Sequence, residues 1–422
     1  MIWFKVKAGA LQMTLFIGVI IALILTAFIL LVHIHNRFKI QANFIIETTK
    51  NADNGIHYAL NNNISLNDTT SVSLIDEDYK SLKLNRDFWG VFERVTSVSK
   101  IKNNRIEKSA LIGGLSIYNQ RLALYVQDNN KPLVLVGKTR IEGLTYLPKR
   151  GVKSGTISGE SYYGTQLIYG SQRTARALPK IISETVTQIQ SIEKTISNIK
   201  ENQYLNIREG GVYKNSFFKP TLILFSNSEI NLNAITLIGN IIIQSKRKIV
   251  VESSSVLRDV ILIAPEVEIQ NDVKGNLQAF ASEELLLGER IILDYPSAII
   301  LNEKTDATNS KIKNSKHLVI GSNSKIKGLV LFLGQTKPNN YDVQLELKEN
   351  ASITGEVYCN QNFELKGTVL GSVYTNNFIA RQFGSVYQNH IYYGKIIAND
   401  LPKEYVGLSF GNSKKGVIKW LY

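Results

Sequence analysis

The chain carries one cysteine in 422 residues, with eight prolines, two methionines and five histidines. A single cysteine, Cys359, excludes an intrachain disulfide framework and any CxxC metal site. It sits in an apolar, strand-like run at 356–359 and reads as a small core residue. His33, His35, His57, His317 and His390 form no HExxH or comparable ligand pair, so no metal site is expected. There is no Gly-x-Ser-x-Gly elbow, and the thiol has no partner that would make it a nucleophile. Gly155-Thr156-Ile157-Ser158-Gly159 lacks the Gly-Lys-Ser/Thr ending of a phosphate loop. No catalytic residue and no cofactor follow from these patterns, and the chain is expected not to be an enzyme.

Acidic residues are the minority, 35 against 49 lysines and arginines, for a formal net charge of +14. The cations are scattered, apart from Lys149, Arg150 and Lys153, so they form no nucleic-acid-binding tail. The balance points to an acidic envelope surface or an acidic protein partner, not to nucleic acid. With 44% hydrophobic and 20% charged residues the chain belongs among folded proteins.

Two long patterns dominate what is present. The first begins at residue 8, where 25 residues to position 32 contain no charge, enough to span a bilayer as one helix. Lys5 and Lys7 precede this run, and Arg37 and Lys39 follow it. A short cytoplasmic N-terminus with the large domain translocated is the expected orientation. The apolar pattern continues beyond the membrane at Phe38, Ala42, Ile45, Thr49, Ala52, Ile56 and Ala59, alternating steps of three and four. That is a helical stripe, and Asn61-Asn62-Asn63 supplies a stop, so one helix is expected over about residues 8–60. The stripe packs either on its own domain or against the equivalent helices of other subunits. Gly55 is the weak point of such a helix.

The second pattern fills the back half. The pairs Ile230/Leu232, Ile249/Val251, Val267/Ile269, Leu285/Leu287, Leu318/Ile320, Leu345/Leu347, Phe363/Leu365 and Phe378/Ala380 are each spaced i, i+2. Both members of a pair therefore point to one side of a strand. Successive pairs start 19, 18, 18, 33, 27, 18 and 15 residues apart. A second ladder interleaves at Leu222, Ile241, Val260, Leu277, Ala298, Leu329, Val357 and Val373. Two ladders with a basic period near 18 predict the coils of a parallel β-helix, with loops lengthening the two long steps. The carboxylates Glu266, Glu268, Asp272, Glu283, Glu284, Glu289 and Asp294 flank the ladders. Outward alternation accounts for them as a solvated face without a glycosidic site.

Between the two patterns lie short β-like runs at 71–75, 88–98, 110–118 and 122–127, read as a small collar in which Trp89 is a core aromatic. Glycine-rich residues 133–170 look like the first coils. Ile182, Val186, Ile189, Ile192, Ile196 and Ile199 form one stripe on an inserted helix, opened by Pro179. Residues 385–422 break the period and gather aromatics, as a cap for an otherwise open sheet end would. The chain is expected to be mainly β. It divides into a basic N-terminus (1–7), a transmembrane and spine helix (8–60), a β-rich collar (61–132), a parallel β-helix (133–384) with a helical insertion at 179–204, and an aromatic C-terminal cap (385–422).

The N-terminal pattern resembles that of type IV pilins and of type II secretion pseudopilins. A basic patch is followed by a small residue and then by a hydrophobic helix that turns amphipathic outside the membrane. Lys7-Ala8-Gly9 followed by Ala10-Leu11-Gln12-Met13-Thr14-Leu15 is similar to a prepilin peptidase junction, with Gly9 the last leader residue and Ala10 the new N-terminus. The alternative for Gly9 is a helix-packing glycine. The family's usual glutamate at mature position five is replaced by Thr14, which places the chain with atypical minor members. The family's usual head is also a small α/β sheet, not a β-helix. The resemblance covers about residues 5–60. It implies a structural subunit of a pilus-like or secretion-like machine, single-pass in a bacterial inner membrane with its bulk on the extracytoplasmic side. The implied partners are other subunits and a secretion substrate. Two alternatives stay open: an envelope scaffold similar in its short coils to the bactofilins, stacking end to end, and a membrane-tethered β-helix that binds or cleaves glycans.

Overall fold

The computed structural model describes residues 8–73, 79–115, 121–196, 200–304, 317–335, 339–411 and 413–422. The protein is mainly β with one long helix. Helix α1 runs unbroken from Ala8–Asn61, about 80 Å at the α-helical rise. It stops where expected. The side-chain amides of Asn61 and Asn62 donate at 2.9 Å to the carbonyls of His57 and Tyr58, respectively, and the Tyr58 carbonyl also accepts the Asn62 N–H at 3.0 Å.

Above α1 stands an antiparallel sheet of β1 (Thr69–Val72), β2 (Lys80–Trp89), β3 (Phe92–Ile101) and β4 (Asn104–Leu115). Residues 88–98, expected as one run, fold back on themselves: β2 and β3 pair through a tight turn at Gly90-Val91, with Trp89 opposite Phe92. The last strand of the chain, Lys415–Leu421, completes this sheet by pairing with β4. The aromatic segment 385–422 is thus divided. Its first part stays with the parallel strands, and its end returns about 300 residues in sequence to the collar. The antiparallel unit is therefore discontinuous, with everything from 122 to 397 inserted between two of its neighbouring strands.

The insertion is one closed sheet of parallel ladders. All seven neighbouring pairs of the first sequence ladder are in register: Ile230 with Ile249, Ile249 with Val267, Val267 with Leu285, Leu285 with Leu318, Leu318 with Leu345, Leu345 with Phe363, and Phe363 with Phe378. The second ladder is right except at two places. Ala298 and Leu329 pair with Gln278 and Glu356 and face outward, while Ile299 and Val330 face the enclosed core. The pairing shifts by two residues between Gly275 and Gln278 and back by two between Leu293 and Ser297, so Leu293 and Ile299 keep the same inward face and Ala298 falls on the outward one. A third ladder, through Leu237, Leu257, Gly275, Leu293, Ile326, Ile353, Val369, Ile396 and Ile141, closes the sheet.

Stacking order differs from sequence order. Residues 133–170, expected as the first coils, lie beyond the last ones. Thr368–Gln382 pairs with Leu122–Val126, which pairs with Leu144–Leu147, which pairs with Gln172–Thr174. The chain enters this sheet near one end, builds that end, and then returns along the outside of the second ladder to start the main stack at Tyr204 and Leu205. The return carries α2 (Ser183–Ser191) and a 3-10 turn at Ile192–Ile196. The helix is shorter than the 179–204 expected, and Ile182 is its N-cap residue, not its first stripe position. Ile189 and Ile192 are buried, and Val186 is half-buried. The side chain of Ile196 and all of Ile199 lie outside the described residues.

Candidate assembly site

A second apolar core lies between the outer side of the second ladder and the antiparallel unit. It joins Trp89, Val91, Phe92 and Leu111 to Ile189, Ile192, Ile261, Ile263, Phe280 and Leu331. Trp89 is 4% exposed and meets Phe217 edge-on at 5.2 Å, so it is a core aromatic, as expected. Polar pins hold the same contact. Gln278 accepts the Val91 N–H at 2.9 Å and donates to the Trp89 carbonyl at 3.0 Å. Arg86, 3% exposed, donates to Glu93 at 2.7 Å, to Glu184 of α2 at 2.5 Å and to the Ile64 carbonyl at 3.0 Å. Helix end, sheet and return segment thus meet at one guanidinium, whose five fixed donors suit several acceptors at once.

The opposite face of the antiparallel sheet receives the end of α1. Ile56, Ala59 and Ile64 pack against Leu82, Leu84, Val95, Ala110 and Ile112, and Thr48 and Ala52 are fully buried. Small residues at 48, 52, 55 and 59 let the helix approach closely, and at Gly55 an added Cβ would strike Ser97 and Leu84. Lys80 pairs with Glu47 and Lys108 with Asp53, each at 2.5 Å, across the edges of the contact.

The expected stripe is therefore split. Ala52, Ile56 and Ala59 serve the chain's own sheet, and Ala42 and Thr49 are half-buried. Phe38 remains 70% exposed and Ile45 49% exposed, and with Ile40 and Ile46 they continue the apolar surface of the membrane-length run. At Gly9 an added Cβ would meet nothing within 4 Å among the described residues, so none of them packs closely enough to require a glycine there. Thr14 turns its hydroxyl back to the Leu11 carbonyl at 2.9 Å, which satisfies a polar group inside the apolar run.

Three of the ladder carboxylates pair with cations of neighbouring coils, while Glu266, Glu283 and Glu284 have no ion pair among the described residues. Glu268 pairs with Lys248 at 2.6 Å, Asp272 with Arg290 at 2.8 Å, and Asp294 with Lys327 at 2.9 Å. Among the described residues no group of three His, Cys, Asp or Glu side chains is placed to hold a metal. Cys359 is fully buried facing the enclosed core, where burial pushes its thiol up to about 12.

Sequence reasoning missed the carboxyl group of Glu356. It faces outward from the second ladder into the second core, is 4% exposed, and accepts the Leu408 N–H at 2.6 Å. Burial pushes it up to about 7. Its only sequence signal was an acidic residue next to a ladder position, which outward alternation alone explains.

Partly buried apolar residues pack on the core at each end, while the outermost strands, Gln172–Thr174 and Val212–Asn215, each pair on one side only. Leu205, Ile207 and Tyr213 pack on the core at one end, and Val152, Tyr162 and Leu167 at the other. Compared with known proteins, the chain matches no family model and no curated relative. Among solved structures it is similar to the competence-associated pilin ComZ from Thermus thermophilus. That likeness has 11% identity, covers 85% of this chain and 89% of that one, and has a TM-score of 0.24, too low to define a shared fold.

Proposed function

We propose that the chain is a non-enzymatic, membrane-anchored structural subunit, an atypical minor pilin or pseudopilin of a pilus-like or secretion-like machine. In this reading the closed sheet is a parallel β-helix carried as an insertion in a pilin-like head, on the extracytoplasmic side of an inner membrane. The observation that carries the reading is the division of α1. One face is used up on an antiparallel sheet, and exposed apolar residues continue beyond the membrane-length run through Ile34, Phe38 and Ile40 to Ile45 and Ile46, set among polar ones. An exposed helical face of that extent calls for other helices or lipid around it. The pairing of Glu268, Asp272 and Asp294 with cations favours a scaffold over a hydrolase built on those carboxylates.

The test is cysteine cross-linking in native membranes with Phe38→Cys and Ile45→Cys. Buried Cys359 gives no background, because its thiolate fraction is negligible at neutral pH. The reading predicts cross-linked products between α1 and a partner helix from one or both positions. Monomer alone from both positions would argue that α1 is a plain anchor.

A further inference from the structure

The chain's positive charge is concentrated at one end of the closed sheet. Residues 121–182 hold ten lysines and arginines against three acidic residues, whereas the main stack, 204–397, holds twenty against eighteen. Lys138, Lys149, Arg150, Lys153, Arg176 and Lys180 are exposed, and none has an ion-pair partner among the described residues. In the main stack the opposite charges are nearly balanced and several pair from coil to coil, although Arg247, Arg258, Lys274 and Lys325 have no ion-pair partner among the described residues.

At the seam where this basic end meets the main stack lies a groove of about 200 Å³ whose lining is almost wholly side-chain amide. Gln127 and Asn129 come from the basic end. Asn340, Asn376 and Gln388 come from the main stack or its final hairpin, and Lys131 is the one charge in the lining. Asn129 bridges the seam by donating to the Asn376 carbonyl at 2.8 Å, and Lys131 reaches Gln388. Two more cations stand close by. Lys153 stands in register with His390 through Val134, which lies between them, and the backbone N–H of Arg176 donates to the Tyr125 hydroxyl two residues before Gln127.

Amides offer a donor and an acceptor in the same small group, which matches hydroxyl groups. Free lysines and arginines match carboxylates or phosphates. Phe383 and Val386 are exposed on the hairpin that supplies Gln388, but the lining of the groove itself includes neither of them and is polar throughout. From the conjunction of the groove and the unpaired cations around it, we infer that this end of the molecule binds an acidic polysaccharide. Its hydroxyls would lie along the amides of the seam and its carboxylates against Lys131, Lys153 and Arg176.

The full chain in detergent, titrated with an octamer of galacturonate, tests this. Lys131→Glu combined with Lys153→Glu is predicted to weaken binding by about tenfold or more and to lower the salt slope, as fewer ions are released. Asn129→Ala combined with Asn340→Ala is predicted to weaken binding by about fivefold with the slope unchanged, since hydrogen bonds and not charges are lost. Asn129 and Lys131 are exposed, so folding tolerates their replacement, and thermal melting verifies it. Absence of binding at millimolar octamer, wild-type affinity in the amide variant, or equal or tighter binding of a single-stranded oligodeoxynucleotide would each overturn the inference. The last outcome would identify a basic patch that reads charge alone.

Discussion

Gln278 and Glu356 stand in one outward row of the second ladder, separated by Ala298 and Leu329, and each grips a different part of the antiparallel unit. Gln278 holds the turn between Trp89 and Val91, and Glu356 holds Leu408 on the returning C-terminal segment. The inserted sheet and the unit that interrupts it are thus joined by two buried polar contacts set in an apolar interface. Such contacts fix register more than they add affinity, because each leaves an unsatisfied partner if it fails.

Gln278→Ala tests the first contact. It strands a buried N–H and a buried carbonyl, at a cost of about 2–4 kcal/mol. Hydrogen exchange is expected to show faster exchange of the Val91 amide, with protection retained at Ile249 and Val267 in the stack. Uniform loss of protection would mean that the two units do not open separately. Gly90→Ala is expected to act in the same direction. Its φ of 64° disfavours a side chain, and the new Cβ would strike the Gln278 amide.

Glu356 predicts a pH dependence. Its folded carboxyl titrates near 7, above the ordinary range that it regains on unfolding, because burial penalises the charge. Its contribution is therefore fully present below about pH 4.5 and is lost as pH rises through about 7. A shift of that size corresponds to something on the order of 3 kcal/mol. Denaturant unfolding of the wild type and Glu356→Gln between pH 5 and 8 should show the wild type losing ground to the variant as pH rises. Parallel curves would show that the carboxyl is not charged at a cost in the fold.

Gly55 offers a case where two effects have opposite signs. On helix propensity alone, Gly55→Ala would stabilise by about 1 kcal/mol. Here the added methyl meets Ser97 and Leu84 of the sheet, and overpacking of that kind costs about 1–3 kcal/mol. A lowered melting temperature is expected, with α1 loosened from the sheet. A raised one would show that the helix does not approach the sheet this closely.

Sequence periodicity revealed the ladders wherever two inward residues stood i, i+2 on one strand, as at Ile249 and Val251 or Leu345 and Leu347. It passed over the third ladder because most of its strands contribute a single inward residue, such as Leu237, Ile353 or Ile396, and one position is Gly275. It misplaced Ala298 and Leu329 because each lies in an unbroken apolar run, 298–301 and 329–333, in which inward and outward positions look alike. Stacking order was beyond reach for a different reason. Residues 133–170 have the same local pattern whether they open the stack or close it, and only the pairing of Val373 and Tyr374 with Leu124 and Tyr125 distinguishes the two. The helix was read to within a residue of its end because both of its signals, apolar spacing and the asparagine stop, are local. The split of its stripe was not, since it depends on which residues the sheet reaches. The seam groove went unread because its amides come from segments more than 200 residues apart.

Mass spectrometry of the protein's N-terminus, isolated from its native membrane, bears most directly on the pilin-like reading. A chain beginning at Ala10, with Gly9 and the residues before it removed, is the predicted result. A mature chain that still contains Gly9 would contradict it and leave α1 as a plain membrane anchor for the two units it carries.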